Sequence, residues 1–230
     1  CVSEQVRREV REQLRADPHK VVAIPPAPPS SFMPLSRVET EATRKRLGVE
    51  DEFLLFAGTI EPRKNLGTLL RAFGEVLRTT DLRPQLVIAG KIGWKQKDLQ
   101  NDLQESVLRD RVKFVGYVSD ADLRALYSSC RAFVYPSIYE GFGLPPLEAM
   151  ACGAPVIASA VPSVTASSAC VISASDVQGL ARSIVELLGD ARARQSLSAA
   201  GLRHAAKFSW EQTAKLTHEV YDEAFRRRKV

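Results

Sequence analysis

The chain has 230 residues, 45% hydrophobic and 26% charged, enough for one full α/β domain with an appendage around a sizeable core. Its net charge of +5 suits an anionic ligand or a membrane surface, and is far too small to indicate a nucleic-acid-binding protein. No apolar run reaches the roughly 20 residues of a transmembrane helix, no signal peptide is visible, and Cys1, Cys130, Cys152 and Cys170 show neither a CxxC pair nor a histidine at ligand spacing; three of the four sit in apolar contexts, which favours buried thiols in a reducing, cytoplasmic setting over disulfides or a metal site.

In chain order, Val2, Val6, Val10 and Leu14 fall on one face of an expected first helix. "KVVAI" (20–24) reads as a strand, and "PPAPPSSFMP" (25–34) as a proline-rich linker. From there apolar runs alternate with amphipathic ones. "FLLFAG" (53–58) is a short buried strand; Leu66, Leu69, Leu70, Phe73 and Leu77 follow at helical spacing. "QLVIAG" (85–90) is the next strand, then a polar segment 91–100 and a helix to about Leu108. "VKFVG" (112–116) is a strand, and "SDADLRALYSSC" (119–130) a helix with Ser119 as N-cap. "AFVYPS" (132–137), "PVIAS" (155–159) and "ACVIS" (169–173) are strands, and helices are expected over 176–188, 190–206 and 209–227. The sequence begins at Cys1 without Met, so a piece of a longer protein is expected. Near-continuous apolar strands alternating with helices predict a doubly wound, Rossmann-like parallel sheet covered on both faces.

Such sheets bind ligands beyond the C-terminal ends of their strands, where helix N-termini point. After the first strand comes "TIEPRKN" (59–65), placing Arg63 and Lys64 beside a helix start. The macrodipole opposes cations there, so either an anion sits between them and the helix amides or the pair is a solvated turn. Neither a Walker loop nor a GxGxxG fingerprint follows any strand. Gly90, Lys91 and Gly93 follow the second strand; Gly116, Tyr117 and Val118 follow the third, either as a plain turn or as a surface for a planar base.

The richest stretch is "SIYEGFGLPPLEAMACG" (137–153). Pro145 and Pro146 favour a helix start and forbid one continuous helix from Glu140 to Glu148. Glu140 therefore belongs to a loop and Glu148 to the first turn of the helix that follows, closed by Gly153. Glu148 could merely complement the helix dipole, and Glu140 could be a solvated carboxylate; alternatively, glycine amides hold a diphosphate while the two glutamates grip hydroxyls on either side.

These residues resemble a known family. The EX7E pair in "PSIYEGFGLPPLEAMACGAPVIAS", with "FAGTIEPRKNLGTLLRAF", "LVIAGKIGW", "VKFVGYVSDADLRALYSSCRAFVYPS" and "FSWEQTAKLTHEVYDEA" in order, is similar to the retaining group-1 glycosyltransferases of the GT-B fold, which include sucrose and glycogen synthases. "VSEQVRREV" and "KVVAIPPAP" resemble the segment joining the two GT-B domains. The resemblance implies the C-terminal half of a GT-B fold: 1–34 as interdomain helix, strand and linker, 35–208 as the nucleotide-sugar-binding domain, and 209–230 as a C-terminal helix packing back toward an absent N-terminal domain that holds the acceptor.

It further implies that Arg63 and Lys64 neutralise the diphosphate, that Gly58, Thr59 and Gly90 belong to the nucleotide-sugar site, and that Gly116, Tyr117 and Val118 border the base. Gly141, Phe142 and Gly143 would offer amides with Leu144 beside them. Glu140 would contact the transferred sugar and Glu148 the ribose hydroxyls, with Glu140, Arg63 and Lys64 as the catalytic set. The expected donor is a nucleotide-diphosphate sugar, of GDP-mannose type by the "GTIEPRKN" subgroup with a UDP-sugar as alternative, used in surface polysaccharide assembly with no metal and no other cofactor. This chain by itself is expected to be inactive.

The sequence departs from the family pattern in three places. Thr59 stands where many relatives have arginine, "IPPAPPSSF" replaces an Asn-Gly-containing linker, and "VPSVTASSACVIS" (161–173) is shorter and lacks the usual Pro-Glu and Gly-Asp pairs. The alternative this raises is a degenerate nucleotide-sugar-binding or scaffold module. A third reading, peripheral contact with the inner face of the membrane, rests on "RRRK" (226–229), although a basic helix end is the commoner explanation.

Overall fold

A computed structural model describes residues 1–91, 93 and 106–227. Most of the expected polar segment 91–100 (all but Lys91 and Gly93), most of the helix leading to Leu108, and Arg228 and Lys229 lie outside those residues. Six strands form one parallel sheet: β1 (Phe53–Ala57), β2 (Gln85–Ala89), β3 (Val112–Gly116), β4 (Ala132–Tyr135), β5 (Val156–Ser159) and β6 (Cys170–Ile172), in the spatial order β3-β2-β1-β4-β5-β6. The strand order reverses between β1 and β4, the place where a doubly wound sheet opens a crevice at its C-terminal edge.

All residues of β1, β2, β4 and β5 are buried, as strands covered on both faces must be, whereas the edge strands β3 and β6 are only partly covered. The covering helices among the described residues are α1 (Glu4–Gln13), α2 (Arg37–Leu47), α3 (Leu66–Thr79), α4 (Ser106–Arg109), α5 (Asp120–Ser129), α6 (Leu144–Ala151), α7 (Val177–Gly189), α8 (Ala191–Ala205) and α9 (Trp210–Arg227). Ser119 caps α5 by accepting from Asp122 N–H, as its position predicts. The core runs along the central strands, where Phe133 packs edge-on to Tyr127 and stacks with Tyr135, itself stacked on Phe56.

Three sequence expectations change. Residues 20–24 join no strand: a short 3-10 turn at Pro18–Lys20 leads into extended chain whose polar groups pair with the arm, Ile24 N–H to Cys1 O and Arg7 Nε to Val21 O. A lone extended run with no neighbouring strand to complete a ladder is not a sheet element. A helix absent from the sequence reading, α2, occupies 37–47; its signals were "SRVE", which forms a capping box between Ser36 and Glu39, and Gly48, left-handed at φ 62° beyond its last turn. And α6 begins at Leu144, one residue before the expected start, with Pro145 and Pro146 inside its first turn, so Glu148 falls at the fifth helical position rather than in the first turn. The prolines fit because the first-turn amides have no intrahelical acceptor to lose.

The strand ends nest closely. Gly58 N–H donates to Ala89 O and Gly90 N–H to Gly116 O, while Ile60 and Lys91 pair through their backbones. A Cβ on Gly90 would stand 2.0 Å from Gly58 O at a φ of 143°, so no other residue fits without moving the first strand's exit. Gly116 also has positive φ, 69°, but nothing lies within 4 Å of its Cβ position. Gly116→Ala should therefore cost about 1–2 kcal/mol, the left-handed penalty alone. Gly90→Ala should cost clearly more and disturb the 58–60 turn as well; urea unfolding of both variants checks this, and equal losses would refute the close-approach explanation.

Candidate functional site

At the β1–β4 crevice the chain places the cations first. Arg63 and Lys64 sit in a 3-10 turn, Pro62–Lys64, that connects β1 to α3. Asn65 ends the turn at φ 58° and holds it in place: its Nδ2 donates to Pro136 O (3.0 Å) and Ala174 O (2.7 Å), and its Oδ1 accepts from Thr68. One side-chain amide thus ties the β1, β4 and β6 exits together with every polar atom used. Sequence reasoning passed over Asn65; a residue that tolerates left-handed backbone just before a helix was the available signal.

The anion between those cations belongs to the protein. Glu140 is 8% exposed, accepts from Lys64 Nζ at 2.7 Å and Arg63 Nη1 at 2.8 Å, and from the hydroxyls of Ser137 (2.7 Å) and Tyr135 (2.9 Å). Lys64, 6% exposed, also contacts the Tyr135 hydroxyl. Burial would push the Glu140 carboxyl up, but hydrogen bonds from Lys64 and Ser137 outweigh it and hold the carboxyl below its usual value. Burial likewise lowers the Lys64 ammonium, against the pull of Glu140. Lys64 and Glu140 are therefore buried rather than solvated, whereas Arg63 stays half exposed at the rim of the cluster. Tyr135 and Ser137 were not foreseen, since nothing in their spacing marks them apart from ordinary strand-end residues.

Beyond Glu140 the backbone changes role. The carbonyls of Gly141, Phe142 and Gly143 are all engaged, accepting from Ser3 Oγ (2.6 Å), Ser163 N–H (2.8 Å) and Ser163 Oγ (2.6 Å). The amides of Gly141, Phe142, Gly143 and Leu144 donate to no acceptor among the described residues. They lead into the N-terminus of α6, whose dipole adds positive potential there. Gly143 is left-handed at φ 94°, and a Cβ on it would meet Ser163 Oγ at 2.9 Å.

Glu148 lies away from this cluster, half-buried on α6, where the Tyr127 hydroxyl donates to its Oε2 at 3.3 Å. Burial raises its carboxyl above the usual value, against the Tyr127 bond and assisted by Asp120. The two glutamates thus sit in opposite environments, one held ionised and the other favouring protonation. Gly58, Gly90 and Gly116 line up at the ends of β1, β2 and β3 beside exposed Thr59. Tyr117, 71% exposed, has the Lys91 ammonium over its ring at 5.2 Å, with Val118 half-buried next to it. No group of three potential metal-ligating side chains occurs among the described residues. Nor is any helix there long and apolar enough to cross a membrane.

Residues 38–204 match the family described as glycosyl transferases group 1. Among curated relatives, the chain is 35% identical over 224 residues to O-antigen chain mannosyltransferase B of Escherichia coli, covering 96% of this chain and 59% of that protein. It is 36% identical over 234 residues to D-inositol 3-phosphate glycosyltransferase of Stackebrandtia nassauensis, covering 94% and 52%. The chain therefore spans little more than half the length of these relatives. Sucrose-phosphate synthase from Thermosynechococcus elongatus superposes with a TM-score of 0.83 at 28% identity, over 97% of this chain and 57% of that one. HepE from Anabaena, in complex with UDP and glucose, gives 0.85 at 20% identity over 97% and 62%, a likeness of fold.

The opposed glutamates predict opposite pH behaviour. Glu148 has a raised folded-state value, so its stabilising contribution is complete below the unfolded carboxyl value and disappears as pH rises through the folded one. Glu148→Gln should melt above the parent chain at neutral pH, with the gap closing near pH 4. Glu140 has a lowered folded-state value; its contribution is complete above the unfolded value and disappears as pH falls. Glu140→Gln should melt below the parent at neutral pH and converge with it in acid. Thermal melts across pH decide both, and parallel curves for the two variants would contradict the assignment.

Proposed function

Because the chain belongs to the glycosyl transferases group 1 family and carries its GT-B-type sheet, we propose that it is the donor-binding part of a glycosyltransferase, holding a nucleotide-diphosphate sugar at the β1–β4 crevice. The observation that carries this is the meeting of two cations, Arg63 and Lys64, with a run of unengaged amides over 141–144 at a helix N-terminus. Both features favour a diphosphate, and together they stabilise the negative charge that grows as the sugar departs. In this reading the cations and amides do that work without a metal ion.

Arg63 is the cation free to change partners. Its guanidinium is about half exposed and bridges Glu61 and Glu140, so it can turn to a phosphate while Lys64 keeps Glu140 ionised. Glu140, held rigidly by four donors, then serves as a fixed acceptor for a hydroxyl of the transferred sugar. Glu148 takes the ribose hydroxyls, and Tyr117 with Gly116 and Val118 borders the base. Retention would follow from front-face attack, the departing phosphate accepting the acceptor's proton. Mannosyltransferase relatives support a GDP-mannose-type donor, and the UDP-bound neighbour supports a UDP-sugar as the alternative. The acceptor is held by an N-terminal domain outside this chain. The alternative of a degenerate binding module drew on the short 161–173 segment; that segment supplies Ser163 to the amide loop, which supports anion binding under either reading.

Isothermal titration with GDP, UDP and ADP and their sugars should detect binding by the folded chain; none from any of the six would falsify the proposal. Arg63→Ala should weaken diphosphate binding about tenfold or more, the size of a charge-assisted hydrogen bond, with little change in melting. Glu148→Ala should weaken nucleotide binding, whereas Glu140→Ala should cost transfer more than binding; equal effects would contradict the division of roles.

A further inference from the structure

The amides of the 141–144 loop do not aim themselves. In a trans peptide the C=O of one residue and the N–H of the next share a plane and point in opposite directions. Whatever holds the carbonyls of Gly141, Phe142 and Gly143 therefore sets the directions of the amides of Phe142, Gly143 and Leu144. Apart from the first intrahelical bond that Gly143 O accepts as the N-cap of α6, the bonds to those carbonyls among the described residues come from two residues. Ser3, on the N-terminal arm, bonds Gly141 O; Ser163, in the loop after β5, bonds Phe142 O through its amide and Gly143 O through its hydroxyl.

Both serines are built in. Ser163 is fully buried and Ser3 nearly so. Ser163 is itself fixed from behind by His204 of α8, whose Nε2 lies 2.9 Å from Ser163 O, and His204 packs on Phe208, which packs edge-on to Phe142. Ser3 accepts from Val6 N–H as the N-cap of α1 while donating to Gly141, and Val2 and Val6 lie over Gly141 on the same side. The arm and the short 161–173 segment grip the loop at different carbonyls, and the amides they orient have no acceptor among the described residues.

We propose that Ser163 and Ser3 are positioning residues that clamp three consecutive peptide planes so that the amides of Phe142, Gly143 and Leu144 converge on one oxyanion of the ligand. This rests on the donor-site reading above and adds which residues make the loop a preorganised anion holder. It gives the shortened segment a function: its Ser163 occupies the two carbonyls closest to α6. It also makes the site depend on the arm, because moving α1 frees Gly141 O and lets the Phe142 amide rotate.

Backbone amide NMR of the intact chain, titrated with inorganic pyrophosphate, tests the clamp without presuming a base or a sugar. Pyrophosphate should shift the Phe142, Gly143 and Leu144 amide signals in the parent chain. Ser163→Ala, which removes only the hydroxyl bond, should reduce pyrophosphate and GDP or UDP affinity about 3- to 10-fold, the size of one hydrogen bond, and leave guanosine and uridine affinity unchanged. Ser3→Ala should act in the same direction and Ser3→Thr should restore binding, since threonine keeps both the cap and the donor. Unaltered pyrophosphate affinity in a folded Ser163→Ala variant would overturn the proposal. So would pyrophosphate binding that leaves the three amides unmoved, or no pyrophosphate binding to the parent chain. Pyrophosphate binding at these amides without any nucleotide binding would instead uphold the clamp and sink the nucleotide-sugar reading.

Discussion

A buried ion pair between Lys64 and Glu140 is the contact on which the strand-end surface depends. Neither charge is tolerable alone at that depth, since breaking a buried pair leaves an uncompensated charge costing about 3–5 kcal/mol. The pair is tolerated because the buried hydroxyls of Tyr135 and Ser137 supply further hydrogen bonds to the carboxylate. Its two members come from opposite sides of the sheet's reversal point, the exits of β1 and β4. Satisfying the charges therefore fixes how the β1–α3 turn and the β4–α6 loop meet, and Ile138 N–H to Arg63 O adds a backbone tie across the same seam.

From that seam the rest of the site follows by geometry. Asn65 locks the cation turn to the β4 and β6 exits, so the cations cannot drift from the crevice. Gly90 lets β2 leave the sheet directly over Gly58, which keeps the 58–60 turn in line. On the other side Gly143 turns left-handed so that α6 can begin at once, presenting its unpaired amides where the loop ends. The arrangement combines a rigid, internally neutralised anchor with a polar surface whose donors are not consumed by the fold. An anionic ligand competes there with no acceptor among the described residues for the amides, and with Glu140 and Glu61 for Arg63.

The electrostatic contrast between the two glutamates has a similar origin. Both are acidic residues near one helix, yet only Glu140 receives cations, because it stays in the loop beside Arg63 and Lys64. Glu148 is carried inward by α6 and meets a buried tyrosine hydroxyl. Burial raises both carboxyls; the charged partners decide the sign for Glu140, and their absence among its neighbours decides it for Glu148.

Much of this was legible from the sequence. The period of apolar runs gave the sheet and its main helices, because strands covered on both faces must be apolar throughout. Pro145 and Pro146 separated Glu140 from Glu148, because proline lacks the amide that a helix interior needs. The proline rule did not locate the helix start, which fell at Leu144 and put Glu148 in the second turn. "KVVAI" looked like a strand because β-branched content marks extended chain, but extended chain becomes a strand only beside a partner. What the sequence by itself determined was the kind of fold and the position of the chemistry along the chain, since both depend on local pattern. Only the tertiary structure decided that the anion between Arg63 and Lys64 is Glu140, and that Ser3 and Ser163 hold the amide loop. Those contacts join residues 76 and 138 positions apart for Lys64–Glu140 and Ser3–Gly141, and hydrogen-bond partners so distant leave no periodicity to read.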